Sequence, residues 1–290
     1  MSYIDSKEYE DHCKYTSQIY LVGTPIGNLA DITLRALETL KIVDTIFCED
    51  TRVSKKLLMH YGISKSLISL NEHNFKGRIP KIHELLGQGK KIAFISDAGM
   101  PGISDPGAEL ISLARQESYT YTVIPGPSAP ITAFALAGIM GTNFYFGGFF
   151  PQKKKDVQAQ MERFAGQNDT VIYFEAPHRL LKTIEILTPF LGDGEFYVTR
   201  ELTKKFEEVR LGSCQAHQEH FTQKKPLGEF VLVIPPNAFK VADDTGSWQD
   251  SLKKLLKTHR TKDACEIIVQ NYDVSKQQVY KYALSLKEES

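Results

Sequence analysis

The sequence predicts an α/β protein made of two α/β domains followed by a small C-terminal helical module. Three observations predict it. Short, nearly continuous apolar runs alternate with segments of helical spacing through the first half. Four of those runs end in loops of Gly, Pro, Asp or Ser. Beyond residue 245 only helical spacing remains. Strands alternating with helices make a mostly parallel sheet, and strands apolar on both faces are those covered by helices on both sides.

Residues 1–17 are polar, without an apolar run, and are expected to be a loose tail. The first domain, residues 18–140, opens with Ile19-Tyr20-Leu21-Val22, a buried strand stopped by Gly23 to Asn28. A helical pattern over Ile32 to Ile42 follows. Thr45 to Cys48 is a second strand, ending at Glu49-Asp50-Thr51-Arg52; Ile92 to Ile95 is another, ending in Asp97 to Gly107; Thr122 to Ile124 ends at Pro125-Gly126-Pro127-Ser128. The second domain, residues 141–237, reads as a mixed sheet. Its strands are Phe144 to Phe146, leading to Gly147-Gly148, then Val171 to Phe174, Glu195 to Thr199 and Glu229 to Ile234, with a hairpin around Phe206 to Gly212. Asp243 to Gly246 reads as a linker. In residues 245–290, Leu252/Leu255/Leu256, Ala264/Ile267/Ile268 and Val279/Ala283/Leu286 mark three helix faces, and Ser275 with Gln278 forms a capping-box pattern. The last two helices resemble a helix-turn-helix.

Bulk properties exclude several classes. Lysine plus arginine number 35, equal to aspartate plus glutamate, so affinity for a polyanion has to come from local patches. The four cysteines, Cys13, Cys48, Cys214 and Cys265, are scattered without C-x-x-C spacing, which argues against a disulfide framework or zinc cluster and for a reducing, cytoplasmic setting. No signal peptide and no uninterrupted apolar stretch of membrane-spanning length is visible.

In an open parallel sheet, ligands sit beyond the carboxyl ends of the strands, where the four first-half loops lie. Glycine lets backbone approach a ligand and proline holds it in place. Gly23 to Gly27 is not G-x-G-x-x-G, and no G-x-x-x-x-G-K-[ST] occurs, so phosphate-cradling fingerprints are absent. Glu49, Asp50, Asp97 and Asp105 come to the rim instead, and carboxylates suit a cationic ligand such as S-adenosylmethionine, with its sulfonium and ammonium groups. H-E-x-x-H, G-x-S-x-G and kinase signatures are missing, and no metal-ligand cluster is visible.

The ordered set Leu21 to Leu29, Glu49 to Arg52, Ser96 to Gly107, Pro125 to Ala129, Gly147 to Phe149, Glu175 to Arg179 and Arg200 to Lys204 resembles the 16S ribosomal RNA (cytidine-2′-O)-methyltransferase branch of the tetrapyrrole-methylase superfamily, from about Ile19 to Ile234. The resemblance implies two α/β domains with the cofactor cleft between them, a homodimer, and methylation of a cytidine ribose in the decoding region of 16S ribosomal RNA or of the small ribosomal subunit. It implies S-adenosylmethionine against Pro25, Gly27, Asp97, Ala98, Gly99, Ile103, Ser104, Ser128 and Ala129, with Phe174 and the Glu201 to Thr203 stretch, Leu202 and Thr203 included, contributing from the second domain. The long N-terminal tail departs from the family pattern, as does Ala176, where serine is as common.

Methyl transfer to a ribose hydroxyl is an in-line displacement that benefits from positioning and from a base or orienting group. Glu49, Asp50, Arg52 and Glu201 are the catalytic candidates, and no single base stands out among them. His178, Arg179, Arg200 and Lys204, with the Lys153-Lys154-Lys155 run, are candidates for RNA contact. Each has a plainer alternative: a helix-start salt bridge for Glu175 and Arg179, an ion pair for Arg200 and Glu201, a surface position for His178 and a solvated loop for the lysines. Lys276, Gln277 and Lys281 offer a nucleic-acid face on the last helix, or the module packs without touching RNA. Two other functions remain open at this point, a precorrin-type C-methyltransferase and a non-catalytic RNA-binding assembly factor.

Overall fold

The computed structural model describes residues 16–141, 143–165, 167–239, 248–272 and 274–288. The tail through residue 15 and the linker at 243–246 lie outside them. The chain divides into two compact units, the first running to Thr132 with Glu201–Glu207 added, the second comprising Ala133–Arg200 and Glu208 onward.

The first unit is built on β1 (Ile19–Val22), β2 (Thr45–Cys48), β3 (Ser66–Ser69), β4 (Ile92–Ile95) and β5 (Tyr121–Ile124). They pair in the order β3-β2-β4-β1-β5, every pair parallel. Every residue of β1, β2 and β4 is buried, as strands require when helices cover both faces. Those helices are α1 (Leu34–Ile42), α2 (Thr51–His60), α3 (Phe75–Gly87) and α4 (Gly107–Gln116). One face of the sheet packs Leu21, Phe47 and Phe94 with Ile82, Leu86 and Leu110. The other packs Tyr20, Ile46 and Ala93 with Ala36, Leu40 and Leu58. Helix starts follow local chemistry: the Thr33 side chain accepts from Ala36 N–H and that of Asp50 from Arg52 N–H, each satisfying a donor that has no partner inside the helix. The helix predicted from Ile32 therefore begins at Leu34. The edge strand β3 escaped sequence reading because Ser66-Leu67-Ile68-Ser69 has only two apolar residues and is only partly covered.

The chain then forms α5 (Ala129–Ala137) and enters the second unit: β6 (Phe144–Phe149), α6 (Lys154–Phe164), β7 (Thr170–Glu175), α7 (Leu180–Leu191), β8 (Phe196–Arg200), β9 (Glu208–Gly212), α8 (Cys214–Gln223) and β10 (Phe230–Ile234). The sheet order is β6-β7-β10-β8-β9, with only β6–β7 parallel, so the expected mixed sheet is present. Gly147 and Gly148, expected to end a strand, lie inside β6, whose register shifts there. A Cβ on Gly147 would collide with the Tyr173 ring, and Gly148 has φ +69°, so both positions require glycine.

The C-terminal helices α9 (Trp248–Leu255), α10 (Thr261–Asn271) and α11 (Lys276–Glu288) enclose Leu252, Ala264, Cys265, Ile268, Val279 and Ala283. Ser275 and Gln278 make the reciprocal capping bonds at the start of α11. No helix among the described residues is long and apolar enough to cross a membrane.

Candidate active site

The loops beyond β1, β2, β4 and β5 interlock at the carboxyl edge of the first sheet. Thr24 and Gly99 exchange backbone hydrogen bonds, Thr24 N–H to Gly99 O at 2.9 Å and Gly99 N–H to Thr24 O at 3.1 Å. Gly23 and Gly126 meet backbone to backbone, and a Cβ on Gly23 would lie 2.8 Å from Gly126 Cα. Gly126 N–H points at Met100 Sδ at 3.1 Å. Pro25 and Gly99 are buried in this framework, whereas Gly27, Ala98, Ile103 and Ser104 face solvent. Ser128 precedes α5 and Ala129 begins it, and first-turn N–H groups of a helix favour an anionic group such as a carboxylate.

The four rim carboxylates have separate tasks. Asp105 Oδ1 accepts from Gly102 and Gly107 N–H, both at 2.8 Å, and so folds its own loop. Asp50 accepts from Arg52 Nη2 at 2.6 Å and Nε at 3.1 Å, and these bonds lower its carboxyl to about 2. Glu49 and Asp97 latch β2 to β4: Asp97 N–H donates to Glu49 Oε2 at 2.9 Å, and Asp50 N–H donates to Asp97 Oδ1 at 3.1 Å. Burial pushes both carboxyls above their ordinary values, and Asp105 and Asp97 add repulsion at Glu49. A rim with two carboxylates destabilised as anions gains from a nearby cation, so the donor set fits a sulfonium ligand.

The segment Glu201–Glu207, expected to act from the second domain, instead packs into this first unit, because its contacts run to the Gly27–Asn28 turn. Leu202 is buried, the Thr203 hydroxyl accepts from Asn28 N–H at 3.0 Å, and Lys204 pairs with Glu201 at 2.9 Å. A Cβ on Gly27 would lie 2.8 Å from the Leu202 carbonyl oxygen. Glu201 and Thr203 have φ of 51° and 65°, a left-handed conformation costly for side-chain-bearing residues and one that clusters at functional sites. Of the proposed site residues, Glu49, Asp50, Arg52, Pro25, Gly27, Asp97, Ala98, Gly99, Ile103, Ser104, Ser128, Ala129, Glu201, Leu202, Thr203 and Lys204 thus belong to one unit. Asn28 and Met100, which fasten its loops, had no role assigned from sequence.

The others belong to the second unit. Phe174 lies on β7 and meets the rings of Phe146 and Phe149 edge-on at 4.9 and 5.6 Å. Arg179 donates to the Phe150 carbonyl at 2.7 Å and pairs at 3.3 Å with Glu175, which is buried and also holds Ala176 N–H and the Thr183 hydroxyl. Arg200 donates to the Leu227 carbonyl at 2.7 Å and faces Glu208 at 3.5 Å. Both arginines are therefore engaged within the fold. His178 is exposed, as are Lys153 and Lys154 where α6 begins.

A family model described as Tetrapyrrole (Corrin/Porphyrin) Methylases matches residues 18–216. The chain belongs to this methylase family. It is an S-adenosylmethionine-dependent methyltransferase. Among the methylase's relatives, "Ribosomal RNA small subunit methyltransferase I" of Thermotoga maritima is 45% identical over 217 residues, covering 75% of this chain and 97% of the relative. The protein of that name from Bacillus subtilis is 39% identical over 269 residues, 90% of this chain and 92% of the relative. That from Escherichia coli O157:H7 is 36% identical over 282 residues, 96% and 98%. A crystal structure of uroporphyrin-III-C-methyltransferase from Thermus thermophilus has a TM-score of 0.53 at 18% identity, covering 76% of this chain and 94% of that chain; it shares the fold.

Proposed function

We propose that this methylase transfers a methyl group from S-adenosylmethionine to the 2′-hydroxyl of a cytidine in the decoding region of small-subunit ribosomal RNA. The observation that carries the RNA assignment is the extent of the likeness: relatives named as small-subunit ribosomal RNA methyltransferases match over nine-tenths of the chain, C-terminal helices included. The ribose and the cytidine rest on the resemblance of Glu49 to Arg52 and Glu175 to Arg179 to that branch.

S-adenosylmethionine supplies an electrophilic methyl group on a sulfonium. Pro25, Gly27, Asp97 to Gly99, Ile103 and Ser104 at the sheet edge, with Ser128 and Ala129 at the start of α5, would hold it, and Leu202 and Thr203 lie against the Gly27–Asn28 turn. At the rim, Arg52 keeps Asp50 ionised and aimed, so Asp50 orients the acceptor. Glu49, with its raised carboxyl value, shares or takes the hydroxyl proton. Lys153, Lys154, His178 and Lys204 contact RNA, while Arg179 and Arg200 shape the backbone that carries such contacts. The enzyme works in the cytoplasm as a homodimer. In support of the dimer, α5 has Thr132 as its one polar side chain yet leaves Ile131 50% and Leu136 43% exposed, a surface suited to a second copy.

Mass mapping of ribosomal RNA from cells with and without the gene tests the assignment. Loss of a single 2′-O-methylcytidine from the small-subunit RNA is expected; an unchanged methylation map refutes it.

A further inference from the structure

We infer that Phe206 is a stacking platform for a base of the RNA acceptor, held beside the donor loops by the Glu201–Glu207 segment. The inference rests on the RNA reading above and deepens it. Two consecutive turns build the platform. Lys204 N–H donates to the Glu201 carbonyl at 3.0 Å, and Glu207 N–H donates to the Lys204 carbonyl at 3.1 Å, which leaves Lys205 and Phe206 as the central pair of the second turn. Glu207 folds back, its carboxylate accepting from Thr203 N–H at 2.6 Å. The base of the segment is anchored by buried Leu202, by the bond from Asn28 to Thr203 and by the close approach of Gly27. Left-handed backbone at Glu201 and Thr203 persists only where the surroundings over-determine it, so the turn is a rigid mount.

On that mount Phe206 is 66% exposed, with the Lys205 ammonium 5.6 Å from its ring centre. A large apolar ring so exposed buries little surface and contributes correspondingly little to the fold. A flat π-face with a cation beside it, three residues along the chain from Thr203, whose hydroxyl accepts from Asn28 N–H in the proposed donor loop, suits a nucleobase and its phosphate. Stacking on an aromatic ring tolerates any base and contributes roughly 1–3 kcal/mol per base, equivalent to roughly 5- to 150-fold in affinity.

The test uses the full-length chain, small-subunit ribosomal RNA presented naked and as assembled subunits, and three variants: Phe206→Ala, Phe206→Leu and Phe206→Trp. Steady-state methyl transfer gives KM for RNA, calorimetry gives the Kd for S-adenosylmethionine, and sedimentation gives the oligomeric state. Phe206→Ala and Phe206→Leu should raise KM for RNA by roughly 5- to 150-fold, and Phe206→Trp should restore it. Donor affinity and oligomeric state should stay at wild-type values. A Phe206→Leu variant equal to wild type overturns stacking, since leucine keeps the apolar bulk without the π-face. Dissociation of an oligomer by Phe206→Ala assigns the ring to a protein interface and likewise overturns it. A wild-type chain that methylates RNA while all three variants match it sinks this inference alone; a wild-type chain inactive on RNA sinks it together with the function on which it rests.

Discussion

Replacing Gly27 by alanine tests whether the Glu201–Glu207 segment is fastened over the donor loop. The new methyl would lie 2.8 Å from the Leu202 carbonyl oxygen and 2.5 Å from Lys204 Cγ. The lysine methylene can swing aside. The carbonyl belongs to backbone held by the Asn28–Thr203 bond, by two turns and by buried Leu202, and it would have to retreat by about 0.6 Å to reach ordinary contact. Gly27 is not in the left-handed region, so crowding is the whole effect. Overpacking of this kind costs about 1–3 kcal/mol. If the segment yields, the loss falls on the donor site, and the Kd for S-adenosylmethionine should rise by roughly 5- to 150-fold. If it holds, the strain falls on the fold, and the melting temperature should drop by roughly 2–4 °C for each kcal/mol. Calorimetric titration and a thermal melt of the same preparation read both. A Gly27→Ala variant with donor affinity and melting temperature both at wild-type values would refute the fastening.

Other perturbations separate the roles at the rim. Glu49→Gln should lower the single-turnover rate at saturating S-adenosylmethionine by about 10²- to 10⁴-fold; an unchanged rate would remove Glu49 from proton transfer. Asp50 has a carboxyl lowered from 3.8 to about 2 by Arg52, so its contribution to stability is complete above 3.8 and is lost as pH falls toward 2. Melting temperatures of wild type and Asp50→Asn should therefore converge across that window, and parallel curves would contradict the pairing. Thr203→Val removes the acceptor for Asn28 N–H and should destabilise the segment by about 0.5–1.5 kcal/mol, read by hydrogen exchange at Asn28; unaltered protection would contradict it. Deleting residues 245–290 should weaken RNA binding and leave donor binding unchanged, with equal RNA affinity as the contrary result.

Much of the frame was legible because burial writes itself into strands. Ile19 to Val22, Thr45 to Cys48 and Ile92 to Ile95 are apolar at every or nearly every position, since helices cover both faces of their sheet. β3 was not legible, because an edge strand needs apolar residues on little of its surface. The glycines of β6 read as a terminator, since the reason for them, the Tyr173 ring and a bulge, is a tertiary contact no local pattern records. Sequence placed the four rim carboxylates together, and the resemblance set Asp97 against the donor and Glu49 and Asp50 near the acceptor, but neither showed what each one bonds. Their division of labour depends on which backbone N–H each one meets, and that is fixed only when β2 and β4 lie side by side. Arg179 and Arg200 looked available for RNA from their charge; the carbonyls of Phe150 and Leu227 that engage them are far away in the chain.

The most direct measurement is transfer of a labelled methyl group from S-adenosylmethionine by the purified full-length chain, offered assembled small subunits, their naked RNA and a uroporphyrinogen in parallel, followed by nucleoside analysis. Label recovered in 2′-O-methylcytidine from ribosomal RNA is the expected result. Label in a base, in the tetrapyrrole, or in none of the three would contradict the assignment.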